Sequence, residues 1–363
     1  MAMDRRVLIL GGYGEAGRRL AAMLGHSLTG RITLAGRRLK EAEECAHRLA
    51  REFRRGPCYA AQAVNVSEPQ QLTECLTDID LVIVACHVPP RSLDALIASC
   101  VDRGIDYLDI TPQPGKAERF EAWRSIIQAS ASRFVLDAGA DPGLPGWLVR
   151  RAVSMVAGAT DVTIWARYRS RAIGWGGSAD ILREAGSTGW VYQRGWYRER
   201  PWRQLCYRSF SGGLGRALCL PIRAAEMEGL PGELRLRRLR FDHAGLNPIT
   251  DLLMALETVR LWRLWPFRIR QRWFYNAMRY LTRRPFGLSI SLEVRGNAEQ
   301  SLRQSLWHDD LYHATVAPAA IMAERLLVSE GMPADYGHLG FWAVQDAGFE
   351  GRLLREGFRV VSE

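Results

Sequence analysis

The sequence predicts an α/β protein: a doubly wound parallel sheet at the N-terminus, then a second α+β lobe with a mixed sheet, then C-terminal helices returning to the first lobe. Three observations predict it. Uninterrupted apolar runs, such as Val7-Leu8-Ile9-Leu10 and Leu81-Val82-Ile83-Val84-Ala85, alternate with helical stripes over the first 146 residues, the pattern of buried parallel strands and their crossover helices. A glycine turn joins the first strand to the first helix. Further on, Val162, Ile164, Ala166 and Tyr168 alternate with more polar neighbours, as do Leu288, Ile290, Leu292 and Val294, which marks half-exposed strands. The expected division is 1–146, 147–306 and 307–363.

The first strand runs into Gly11-Gly12-Tyr13-Gly14-Glu15-Ala16-Gly17 and a helix over 18–23. Gly12, Gly14 and Gly17 spell Gly-x-Gly-x-x-Gly. Gly12 permits the tight turn, Gly14 lets backbone N–H groups approach a dinucleotide pyrophosphate, and Gly17 lets the helix pack close to the strand. The helix N-terminus then faces the anion. This is the arrangement of a Rossmann dinucleotide-binding domain, and 11–17 are expected cofactor contacts. At the end of the second strand, NAD-binding chains place a carboxylate for the ribose 2′-hydroxyl. This one reads Thr33-Leu34-Ala35-Gly36-Arg37-Arg38. Arg37, presented by Gly36, is placed to pair with a 2′-phosphate, with Arg38 adding to it, so the expected cofactor is NADP(H).

Leu39, Ala42, Ala46, Leu49 and Phe53 repeat at helical spacing, and 59–66 reads as a third strand. Its end puts Asn65 and Val66 beside the adenine or ribose, with an ordinary loop asparagine equally open. Residues 81–86 form another strand, leaving Ala85 and Cys86 at the carboxyl edge where ligands of open parallel sheets bind. Cys86 and His87 do not suggest a nucleophilic pair, because neighbouring side chains on extended backbone point to opposite faces. A stripe of Leu93, Leu96, Ile97, Cys100 and Val101 precedes a fifth strand over 107–111. Phe120, Trp123, Ile126 and Ile127 precede a sixth over 134–137. Thr111, Asp109, Gly139 and Asp141 therefore lie where the nicotinamide half should rest. Asp141 is the first candidate for a catalytic polar group, with Asp109 beside it, although an Asp before Pro142-Gly143 equally suits a turn.

In the second lobe, a helix is expected over 147–156 and strands over 162–168 and 288–294. Between them lie the glycine-rich Gly174-Trp175-Gly176-Gly177-Ser178 and a tryptophan-rich stretch from Trp190 to Trp202. Together they suggest a mixed sheet with one face open to a substrate cleft. Tyr168 is a candidate catalytic residue there, and Arg169 and Ser178 are candidate substrate contacts, Arg169 as the clamp for a carboxylate. A helix is expected over 318–329, stopped by Gly331 and Pro333. The segment 260–284 carries eight arginines, no acidic residue and seven aromatics. It reads as a long amphipathic helix covering the lobe with arginine stems over apolar surface; an anionic membrane surface is the alternative.

At 363 residues and 47 % hydrophobic content, the chain is long enough for two cores. Its net charge of +10 is almost all arginine, Lys40 and Lys116 being the only lysines. Four residues before them stand Gly36 and Pro112, which excludes a Tyr-x-x-x-Lys dehydrogenase. Seven cysteines without a Cys-x-x-Cys pair argue against a zinc site or disulfide scaffold and for a reduced, cytoplasmic setting. No apolar run is long enough to span a bilayer. The basic balance suits a small acidic substrate rather than nucleic acid.

The chain resembles the saccharopine dehydrogenase-like oxidoreductases, in particular their short bacterial members. The matching pieces are Leu10-Gly11-Gly12-Tyr13-Gly14-Glu15-Ala16-Gly17, Thr33-Leu34-Ala35-Gly36-Arg37, Asp106-Tyr107-Leu108-Asp109-Ile110-Thr111, Asp141-Pro142-Gly143-Leu144-Pro145-Gly146 and 308–320. The resemblance implies NADP(H), a second lobe that supplies the substrate pocket and a homodimer contact, and last helices that pack back onto the first lobe. It also implies hydride transfer to a C=N, C=O or C=C bond. Pro112-Gln113-Pro114 stands where many members continue with Gly-Glu. The large substrate domain of the lysine-pathway enzyme is also missing, so saccharopine itself is not expected. The rival readings are a non-catalytic NADPH-binding sensor and a membrane-associated enoyl reductase for lipid chains.

Overall fold

A computed structural model describes residues 4–171, 173–184, 189–199, 205–258, 261–297, 300–328 and 331–362; Trp202, Arg260 and Ser329, named above, lie outside them. The chain divides into two units, one of residues up to 144 with 315–353, the other of 145–314 with the last residues from 354.

The first unit follows the alternation read from the sequence. In order come β1 (Arg6–Leu10), α1 (Glu15–Leu24), β2 (Arg31–Gly36), α2 (Leu39–Glu52), β3 (Cys58–Ala63), α3 (Pro69–Cys75), β4 (Leu81–Val84), α4 (Pro90–Arg103), β5 (Asp106–Asp109), α5 (Lys116–Gln128) and β6 (Phe134–Leu136). The strands pair in parallel as β6-β5-β4-β1-β2-β3. The order reverses between β1 and β4, so the carboxyl ends of these two strands open the crevice beside the glycine turn. Strand β3 stops at Ala63, short of the expected 66. Asn65 instead heads a turn: its Oδ1 accepts the Ser67 N–H at 3.2 Å and its own N–H donates to Gln71 at 2.8 Å. An asparagine that satisfies local backbone in this way ends a strand rather than extending it.

A seventh strand, β15 (Tyr336–His338), joins the sheet in parallel beside β6. Three residues including a glycine show no period, which is why the sequence did not reveal it. The tail is tied in by the Phe134 N–H to the Asp335 carbonyl at 2.9 Å and the Trp342 indole N–H to the Phe134 carbonyl at 3.2 Å. The preceding helix begins at Leu311 and carries Pro318 inside it, rather than starting there.

The second unit is built on β7 (Asp161–Arg169), which lies between the parallel β12 (Arg238–Ala244) and the antiparallel β13 (Gly287–Arg295). With β8 (Trp190–Gln193), β9 (Trp196–Arg198), β10 (Cys206–Phe210), β11 (Gly215–Pro221), β14 (Ser301–His308) and β16 (Arg359–Ser362), they make a nine-stranded mixed sheet among the described residues. The longer helices are α6 (Leu144–Ser154), α7 (Trp175–Glu184), α8 (Pro248–Thr258) and α9 (Phe267–Leu281), with short helical turns at Ala225–Glu228, Leu230–Glu233 and Leu261–Leu264. The glycine-rich 174–178 thus opens a helix. Val162, Ile164 and Ala166 register with Val294, Leu292 and Ile290 on the apolar face, while Asp161, Thr163, Trp165, Arg167 and Arg169 occupy the other. The β10–β11 hairpin bends over the Trp165 end of that polar face, while Asp161, Thr163, Arg240 and Glu293 line a cavity at its other end. The Trp165 indole N–H donates to the Ser209 carbonyl at 2.9 Å and the Ser211 N–H to Ser289 Oγ at 3.2 Å.

The tail divides between the units. Residues 315–353 belong to the first, in line with the expected return of the tail, whereas 307–314 and the last residues from 354 belong to the second, where β16 pairs with β14.

Candidate functional site

The backbone between β1 and α1 forms a cradle. Gly11 adopts φ +80, a conformation open to glycine at no steric cost. The Gly11 and Gly12 N–H groups both donate to the Ala35 carbonyl, at 2.8 and 3.1 Å, and the Gly14 N–H to the Gly11 carbonyl at 3.0 Å. A Cβ on Gly17 would lie 2.3 Å from the Gly11 carbonyl oxygen, and one on Gly12 2.8 Å from Leu34 Cα. Only glycine allows that approach. A Cβ on Gly14 would meet just the Gly11 oxygen, at 3.1 Å, and otherwise open space. No side chain caps the start of α1, leaving the first-turn N–H groups, those of Glu15, Ala16 and Gly17 among them, for an anion. Burial pushes the Glu15 carboxyl up, but Arg18 and Arg19, donating at 2.7 and 3.0 Å, bring it below the ordinary value. This charge is thereby turned along the helix and offset.

Gly36 is required by Tyr13: a Cβ there would lie 2.4 Å from the Tyr13 ring. Tyr13 in turn accepts the Arg38 N–H at 3.2 Å, and the Arg38 guanidinium pairs with Glu41 at 2.6 Å. Arg37 is exposed and makes no such pair among the described residues. It is the free guanidinium at this edge, close enough to Cys86 to pull its thiol down. Burial outweighs that pull and raises the thiol to about 11, so Cys86 is a wall of the crevice and no nucleophile. The Ala85 N–H donates to the Leu10 carbonyl at 2.8 Å, fixing 85–86 against the glycine turn. Asn65 and Val66 follow β3, where the Asn65 side chain is spent on its own turn.

The carboxyl ends of β5 and β6 hold a different cluster. Asp109, expected near the reacting atom, is buried and fully engaged. Its Oδ1 accepts the Lys116 ammonium at 2.5 Å and the Asp137 N–H at 2.9 Å, and its Oδ2 the Tyr107 hydroxyl at 2.9 Å. Lys116 also donates to Asp137 Oδ1 at 2.6 Å and the Thr111 carbonyl at 2.9 Å, and His338 Nδ1 lies 2.8 Å from Asp137 Oδ2. A carboxylate enclosed in this way is part of the scaffold and cannot meet a substrate, which corrects the catalytic expectation for Asp109. Burial raises the Asp109 carboxyl, whereas for Asp137 the Lys116 charge and the His338 contact overcome burial and lower it. Asp141 heads a tight turn in which the Gly139 N–H donates to the Pro142 carbonyl at 3.1 Å.

In the second unit Ser178 is also corrected. It is buried inside α7, its hydroxyl donating to the Trp175 carbonyl at 2.7 Å and accepting from Gln271 at 3.4 Å. A hydroxyl committed to helix backbone is unavailable to a ligand. Tyr168 and Arg169 are neighbours at the end of β7 and point to opposite faces. Tyr168 lies edge-on to His243, ring centroids 5.4 Å apart. Arg169 is half-buried with an Nε that has no hydrogen-bond partner. Near it, Asp251 on the first turn of α8 has a buried, unbonded Oδ1. Burial pushes the Asp251 carboxyl up to about 6 against the pull of Arg167, the Gly245 amide and Arg169.

A carboxyl whose folded value lies above its unfolded one contributes stability below pH ~4 that is lost as pH rises through about 6. Asp251→Asn is thus expected to gain on the wild type by about 2 kcal/mol between pH 4 and 7, measured by denaturant unfolding; parallel pH curves would contradict it. Sequence reading missed Asp251, Asp137, Lys116 and His338. Only Lys116 carried a signal, its rarity among 49 basic side chains.

Residues 7–133 match the family model of the saccharopine dehydrogenase NADP binding domain. The whole chain is similar in fold to apo saccharopine dehydrogenase (L-Glu forming) from Saccharomyces cerevisiae. The TM-score is 0.69 at 12 % identity, covering 99 % of this chain and 100 % of that one. A myo-inositol dehydrogenase from Corynebacterium glutamicum aligns at TM-score 0.46 and 14 % identity, over 99 % of both chains. Comparison with curated proteins gives no match.

Proposed function

With residues 7–133 forming a saccharopine dehydrogenase-like NADP-binding domain as the premise, we propose that the chain is an NADPH-dependent oxidoreductase. It delivers hydride to a C=N or C=O bond of a small acidic metabolite. One observation carries the reading: a cradle that a Cβ would fill, with an unpaired guanidinium, Arg37, at the edge of the same crevice.

When bound, the nicotinamide supplies the hydride. Binding and orientation fall to the chain. The 11–17 backbone and the first N–H groups of α1 hold the pyrophosphate, and Arg37 pairs with the 2′-phosphate. Ala85, Cys86, Thr111 and Gly139 border the nicotinamide half, with Asp141 the polar group at that edge. Within the second unit, Arg169, with its unbonded Nε–H, is the group suited to a substrate carboxylate, and Asp251, protonated below about pH 6, is the group there that can hold a proton. Tyr168, on the opposite face of β7 beside His243, remains the aromatic candidate of this unit. Cytoplasmic placement and a homodimer belong to the same proposal, resting on cysteine usage and on the family resemblance.

The test is cofactor discrimination. Arg37→Asp is expected to weaken NADPH binding about 10- to 100-fold while leaving NADH affinity the same or better, measured by calorimetry. An unchanged preference would overturn the assignment of Arg37.

A further inference from the structure

The helix α9 faces two ways. Phe274, Ala277 and Met278 are buried, and Arg270, also buried, donates to Glu257 and to the Trp265 carbonyl. The single long helix expected over the segment is broken into a 3-10 turn, Leu261–Leu264, and α9 beginning after Pro266, but this inner face of α9 covers apolar surface as expected. The outward face is not the solvated arginine surface that such a role implies. Leu264 is 88 % exposed, Trp265 57 %, Ile269 41 %, Trp273 61 % and Tyr280 69 %. From Trp265 onward these fall at spacings of four, four and seven residues, one stripe along the helix. Arg268, Arg272, Arg279 and Arg283, all exposed, run beside them at four, seven and four.

Large apolar side chains left in water along one stripe mark a contact surface. Its charge selects the partner. The segment 260–284 holds eight arginines and no carboxylate, so a second copy applying the same face would set arginine against arginine. Tryptophan and tyrosine beside arginine are what the headgroup layer of an anionic bilayer accepts: the rings enter the acyl boundary while the guanidinium groups stay with the phosphates. At 15 residues the helix is on the order of 22 Å long, suited to lying in the plane of the interface. Among the described residues no helix is long and apolar enough to cross a membrane.

We propose that the outward face of α9, with the Leu264–Trp265 knob before it, docks the protein on anionic phospholipid surfaces. This docking is independent of the nucleotide site. The test uses the full chain in flotation with vesicles of phosphatidylcholine alone and of phosphatidylcholine mixed with phosphatidylglycerol. Binding is expected to the mixed vesicles, at least about tenfold weaker to the neutral ones and falling with salt.

Arg268→Gln and Arg272→Gln should each weaken it about fivefold. Trp265→Ser with Trp273→Ser should abolish quenching of tryptophan emission by brominated lipid, at an unchanged melting temperature because both rings stand in solvent. Equal binding to both vesicle types, no binding to either, or binding to soluble polyglutamate without binding to vesicles would each overturn the proposal. So would variants that bind as the wild type does.

Discussion

Gly14→Ala is expected to leave the fold intact within about 1 kcal/mol and to weaken NADPH binding about 100-fold. Its φ of −66 and ψ of 168 suit alanine, and the new methyl meets only one protein atom within 4 Å, at 3.1 Å. The space it fills is the space proposed for the pyrophosphate. Gly17→Ala loses binding for a different reason. There the Cβ would stand 2.3 Å from the Gly11 oxygen and 2.9 Å from Gly12 Cα, so loop or helix must move, costing about 1–3 kcal/mol of stability as well. Calorimetric titration with NADPH beside thermal unfolding separates the two. A Gly14→Ala protein that binds as tightly as the wild type would remove the cradle from the argument.

The second large effect concerns stability. Lys116→Met leaves Asp109 and Asp137 facing each other in a buried site with no ammonium between them. Breaking a buried ion pair from one side costs about 3–5 kcal/mol. The sign with pH follows from the carboxylates: without Lys116 their folded values rise, so the lost stability is smallest in acid and grows as pH increases toward neutrality. Adding Asp109→Asn should recover part of the loss, since one uncompensated charge is gone. Urea unfolding at acidic and neutral pH checks this, and a variant within about 1 kcal/mol of the wild type would show the cluster to be dispensable.

The first unit was largely legible because each of its signals is local. Four apolar residues in a row mean a strand covered on both faces, and the glycine turn has one geometry. What the sequence hid depends on distant partners. The strand Tyr336–His338 exists because β6 offers an edge, and Gly174-Trp175-Gly176-Gly177-Ser178 reads as a loop but becomes helical where Ile181 and Leu182 pack against Phe274 and Met278. Asp109 and Ser178 were misjudged for a similar reason. A polar residue at a strand end or in a glycine-rich turn reads as available until its partners, Lys116 and the Trp175 carbonyl, are in place. Asp251 had no local signature at all, because its character comes from burial beside Arg167.

Neither unit is one continuous length of chain, and this constrains how the protein can be dissected. A fragment ending at Leu144 would lack β15. It would present the outer flank of β6, with the Phe134 N–H and C=O unpaired, as a ready template for strand addition by another molecule. Excision experiments must therefore rejoin the distal 315–353 piece through a linker, and a terminal tag pulled away with β16 would fray the sheet at the opposite end of the polypeptide.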